Sequence, residues 1–148
     1  MNARITSLIL IVVAASATHA QSLPESDLNV APFAANYSVE YRGIRAGNLD
    51  FALRNNGNRY IYESIAHPTW LAPVAVNNNL REASEFTVEN GVNKPQSYEL
   101  DDGSKSTEED TRLQMDRKAA KARGTHEDHA IELPLTDGMQ DRMSAQVV

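Results

Sequence analysis

Apolar and polar positions alternate with period 2 over Tyr37-Ser38-Val39-Glu40-Tyr41 and again over Leu49-Asp50-Phe51-Ala52-Leu53. That period predicts two strands, each with one face buried and one wet. Gly43 and Gly47 bracket Ile44-Arg45-Ala46, and this is where the pattern places the reversal. Asn55-Asn56-Gly57-Asn58 is a further turn, because Asn and Gly tolerate left-handed backbone. A third strand over 59–66 has Tyr60 and Tyr62 on one face and Ile61 and Ile65 on the other. Pro68, Pro73 and Asn77-Asn78-Asn79 interrupt the rhythm, and the apolar Trp70, Leu71, Val74 and Val76 between them are expected to fold over an end of the sheet.

The rhythm resumes with a strand over 80–89 and the hairpin signal Asn90-Gly91. The strand over 92–100 carries Pro95, which argues for a sheet edge or an irregular start. Residues 108–123 have helical spacing at Met115, Ala119 and Ala122, but the hairpin rhythm favours two strands joined near Asp116-Arg117-Lys118. A short strand over 130–133 ends at Pro134. Asp137 and Gln140 then resemble a capping pair opening a helix over 137–148, with Met139, Met143 and Val147 on one face. The expected fold is all-β, mainly antiparallel, a curled sheet or partial barrel with a short C-terminal helix. The expected core face holds Tyr37, Val39, Tyr41, Leu49, Phe51, Leu53 and Phe86.

The first 20 residues read differently. Arg4 precedes an apolar run of eight over 8–15, and small residues then lead to Thr18 and Ala20 at the −3 and −1 positions of a cleavage site. The run is too short to span a bilayer, which takes about 20 residues. The expectation is a signal peptide over 1–20, a lead-in over 21–32 marked by Pro24 and Pro32, and one domain over 33–148 in the periplasm, with no transmembrane span after cleavage.

Of the 14 basic residues only Arg4 lies before position 21, and all 20 acidic residues lie after it. Such a surface repels phosphate backbones and argues against nucleic acid. The chain has no cysteine, which excludes disulfides, thiolate catalysis and cysteine-ligated metal.

Several pieces in order resemble the bacterial envelope family known as domain of unknown function 3108. They are Tyr37-x-Val39-x-Tyr41-x-Gly43 with Gly47, Tyr60, Glu82-x-Ser84-x-Phe86, Gly91 with Pro95 and Tyr98, and Asp137-Gly138-x-x-Asp141-x-x-Ser144. The resemblance implies an exported antiparallel β protein and no settled activity. Members of that family run on for several strands past the Asp-x-x-Ser piece, which implies a shortened member. An unpaired sheet edge would then be open to self-association or β-addition.

No motif for catalysis stands out. There is no G-x-S-x-G and no Gly-rich phosphate loop. His126 and His129 flank Glu127-Asp128, but consecutive residues point in different directions, so these histidines are weak metal candidates and no cofactor is expected. The acidic runs Asp101-Asp102 and Glu108-Glu109-Asp110 do not follow a calcium-loop pattern. The aromatic strand residues Tyr41, Phe51, Tyr62 and Phe86, with Trp70 at the mouth, are the candidate ligand-binding set for a lipid or other envelope component. The expected function is apolar-ligand binding on a concave sheet face. The alternatives are a hydrolase using gathered carboxylates or histidines, and a scaffold without a small-molecule site.

Overall fold

The computed structural model describes residues 30–69 and 79–147. Eight strands make one antiparallel sheet in chain order: β1 Phe33–Tyr41, β2 Ile44–Asn56, β3 Arg59–Pro68, β4 Leu80–Glu89, β5 Val92–Asp101, β6 Thr111–Asp116, β7 Lys121–His126 and β8 His129–Pro134. Among the described residues no strand pairs with the outer edge of β1 or of β8, so the sheet is unclosed. The segment 1–20 expected to be a signal peptide, most of the expected lead-in, Trp70 with the rest of 70–78, and Val148 lie outside the described residues.

The all-β reading holds, including the choice of two strands within 108–123. β6 and β7 pair with Met115 opposite Ala122, so the helical spacing of these residues was a coincidence that cross-strand packing overrides. The first hairpin turns elsewhere than the glycine pattern predicted. The chain reverses at Arg42-Gly43, both left-handed with φ of 52° and 77°, and Ile44-Arg45-Ala46 already belong to β2. Gly47 is needed for closeness instead, since a Cβ there would lie 2.5 Å from the His67 carbonyl oxygen. Ala46 is the extra residue of a bulge on β2, between the pairs Val39–Gly47 and Glu40–Arg45. Its carbonyl accepts the Thr69 N–H at 2.8 Å.

Pro95 lies on a central strand rather than an edge. It is fully buried and faces Phe86 at a second bulge, where the register shifts between Glu85 and Phe86. A bulge already breaks the ladder there, so the missing N–H costs little.

One sheet face is mainly apolar, with Ser64, Glu82 and Ser84 as its buried polar groups. Across β1 to β4 it carries Phe33, Tyr37, Val39, Leu49, Phe51, Leu53, Tyr60, Tyr62 and Phe86. The core on this face is Leu53, Tyr60, Tyr62 and Phe86 with Met143 and Val147, and Val30 from the expected lead-in packs against it. The expected face is therefore correct but its centre is not. Tyr37, Val39 and Tyr41 are 55%, 42% and 58% exposed, while Phe86 is at 0%. Burial depends on what lies over the sheet, and the strap after β8, residues 135–147, is fastened over β4 and β5 through 141–147.

The strap is not the expected helix. Gly138 takes φ +78°, which interrupts helical backbone, and only a 3-10 turn forms, Ser144–Gln146. Asp137 extends into solvent to Lys94, and the carboxylate that accepts backbone N–H groups ahead of the 3-10 turn is Asp141. Asp141 Oδ1 accepts the N–H groups of Met143 at 2.9 Å and Ser144 at 2.8 Å. Met143 and Val147 are buried as expected; Met139 is exposed. Buried Asn93 donates through Nδ2 to the carbonyls of Ser144, at 2.7 Å, and Val147.

Candidate functional site

The two sheet faces divide the chemistry. On the polar face, basic and acidic side chains alternate across neighbouring strands. Arg54 on β2 donates to Glu63 on β3 at 2.7 Å, Arg81 on β4 bridges Glu63 at 2.7 Å and Glu99 on β5 at 2.8 Å, and Arg112 on β6 meets Glu99 at 3.1 Å. Burial pushes the Glu63 and Glu99 carboxyls up, but the arginine hydrogen bonds outweigh it and hold both below the ordinary value. Among the described residues of this face, Arg54, Arg81 and Arg112 are each paired with a carboxylate.

On the apolar face the strap is held by a polar lock. Glu82 is buried and takes both Arg142 Nε and Nη2, at 2.8 and 2.6 Å, and the Tyr98 hydroxyl at 2.7 Å. Beside it Ser84 Oγ donates to Asp141 Oδ2 at 2.7 Å, and Ser144 Oγ lies 3.0 Å from the same oxygen. Burial and then the Glu82 hydrogen bond push the Tyr98 phenol far up, so it stays a donor. The hydrogen bond to Glu82 raises Arg142 further. Each carboxylate here is engaged by donors from two elements, and neither serine faces an imidazole. Groups engaged in this way position a segment.

The exposed part of the same face is aromatic. Tyr37 and Phe51 meet edge to face at 5.9 Å, Phe51 and Tyr62 stack at 5.9 Å, and Phe33 tilts against Tyr62 at 6.0 Å. The structure thus joins two of the candidate residues, Phe51 and Tyr62. Tyr41 stands at the hairpin end of β1, with the Arg42 guanidinium 5.3 Å over its ring. Phe86 is sealed beneath the strap and stacked on Tyr60 at 5.4 Å, so it backs the face without lining it. Trp70 is outside the described residues. Phe33 was missed, although Phe33-Ala34-Ala35-Asn36-Tyr37 continues the alternation that would have found it.

The weak metal candidates His126 and His129 each use one ring nitrogen within the protein. Glu127 and Asp128 form a tight left-handed turn between β7 and β8. His126 Nδ1 is hydrogen-bonded to Thr111 Oγ1 at 2.8 Å, and His129 Nδ1 to the Glu127 carbonyl. Asp101, Asp102 and Asp110 bring one oxygen each within 4.8 Å of one another, but Asp101 and Asp110 carboxylates already accept backbone N–H groups of Gly103 and Asp102.

Residues 36–148 match the family described as "Protein of unknown function (DUF3108)". The chain belongs to this family. No curated protein and no solved structure matches it. Five of the residues through which the chain resembles DUF3108 proteins, Glu82, Ser84, Tyr98, Asp141 and Ser144, meet in the polar lock. In this DUF3108 protein those scattered pieces of sequence do one physical job, which is to fasten the strap to β4 and β5.

Proposed function

We propose that this DUF3108 protein is exported to the periplasm and holds an apolar ligand, such as a lipid acyl chain, against the aromatic half of its sheet face. The observation that carries the reading is the contiguous exposure of Phe33, Tyr37, Val39 and Tyr41 on β1, next to the half-buried Phe51. Large exposed apolar patches on a soluble fold mark interaction sites. Tyr37, Phe51 and Tyr62 supply flat, rigid surface for a chain to lie on. The charged start, short apolar run and small residues before Gln21 support export with cleavage after Ala20. No helix among the described residues is long and apolar enough to cross a membrane.

The test is native mass spectrometry of protein purified from its own envelope, followed by titration with a fluorescent fatty acid. Retained lipid, or uptake that Tyr37→Ser abolishes, supports the reading. A bare protein that takes up no fatty acid overturns it in favour of a scaffold without a small-molecule site.

A further inference from the structure

The two edges of the sheet are built differently. β8 has six residues, carries Glu132 paired to Lys121 and Arg123, and stops at Pro134. Those are the usual guards against edge-to-edge pairing: shortness, charge and proline. β1 has nine residues, no proline, no lysine and one charged side chain, Glu40. The bulge beside it belongs to β2, with Ala46 as the extra residue, so β1 itself is regular.

We propose that β1 pairs antiparallel with β1 of a second copy, about a two-fold axis through Tyr37. The sequence of the strand is what selects this occupant. Tyr37 is the midpoint of Phe33–Tyr41, so pairing about it uses the whole strand. On the apolar face Phe33 then opposes Tyr41 of the second copy, Ala35 opposes Val39, and Tyr37 opposes its own counterpart. On the polar face Asn36 opposes Ser38, and Glu40 opposes Ala34, so no like charges meet. The match is self-complementary, as a two-fold interface requires. The Tyr37–Phe51–Tyr62 aromatic rows of the two copies become one continuous surface across the axis. This pairing does not depend on ligand binding at that surface.

The absence of native cysteine makes the register directly testable. Opposed residues in an antiparallel pair have Cα atoms about 4.5–5.5 Å apart, within the span of a disulfide. Tyr37→Cys should therefore give a covalent dimer on mild oxidation. Glu40→Cys should not, because its own counterpart lies roughly 20 Å along the strand pair. A mixture of Glu40→Cys and Ala34→Cys chains should cross-link to each other while neither does so alone. Sedimentation of the unmodified protein should show a dimer. Tyr37→Lys sets two ammonium groups against each other at the axis and should raise the dissociation constant at least tenfold. Tyr37 is more than half exposed, so these changes leave the core intact. A monomer at all concentrations up to about 100 μM overturns the proposal. So does a dimer in which Glu40→Cys links to itself as readily as Tyr37→Cys, or in which Tyr37→Cys does not link.

Discussion

Arg142 grips Glu82 with a two-pronged guanidinium–carboxylate contact, at 2.8 and 2.6 Å, across 60 residues of sequence. The two ends of the pair are unequal. The Glu82 side chain is 8% exposed and the Arg142 side chain 64%. Removing the arginine leaves a buried carboxylate with only the Tyr98 hydroxyl, which costs far more than losing a surface ion pair.

Arg142→Ala is expected to lower unfolding stability by about 2 kcal/mol, a charge-assisted bond discounted for the exposure of Arg142. Denaturant unfolding checks it, with exposed Arg42→Ala as the control. A loss equal to the control would mean that apolar packing alone holds the strap.

Phe86→Ala should cost about 3–5 kcal/mol, since it opens a cavity at the best-buried site in the core. Phe51→Ala should cost only about 1–2 kcal/mol, because that ring is half-buried and less area is lost. Thermal melts of the two variants rank the centre of the core against its margin.

The pH dependence of the polar face has a definite sign. The Glu63 carboxyl is lowered from 4.5 in the folded state, so its stabilising effect is present above that value and is lost as pH falls through the folded value. The melting-temperature advantage of the native protein over Glu63→Gln should be largest near pH 7. It should shrink between about pH 5 and pH 3.

Gly124 sits on β7 where a Cβ would come within 1.7 Å of the Arg112 carbonyl oxygen on β6. Gly124→Ala should push these strands apart and cost about 2 kcal/mol or more. Gly57→Ala meets nothing within 4 Å, and its cost is only that of a left-handed alanine, about 1 kcal/mol. Comparing the two by denaturant unfolding separates crowding from backbone strain.

The parts legible in the sequence are those governed by neighbours along the chain. Alternation around Tyr60 and Tyr62 and the Asn90-Gly91 turn act over a few residues, and both stand where the pattern put them. What depends on distant partners was hidden. Tyr37, Val39 and Tyr41 carry the same alternation as Tyr60 and Tyr62, but the strap lies over other strands, so one set is exposed and the other buried. Pro95 pointed to an edge or to an irregular start of its strand, and the choice between them depends on a bulge that forms only in the pair with β4. In the candidate ligand set, Phe51 and Tyr62 come together because their strands are adjacent. Phe86 lies two strands from Phe51, and the strap seals it in. Arg142 carried no local signal, since its role exists only opposite Glu82.

The meander order has a kinetic consequence. Every strand finds its partner next door in the chain, so the sheet grows by closing short loops, whereas the strap reaches back 57 residues from Asp141 to Ser84 and 54 from Val147 to Asn93. Long loops close late and at greater entropic cost. Contacts made after the rate-limiting barrier set how fast a protein comes apart and leave its assembly rate unchanged. The strap is thus a brake on unfolding, and stopped-flow measurements on Arg142→Ala should show a faster unfolding limb beside an unaltered folding limb.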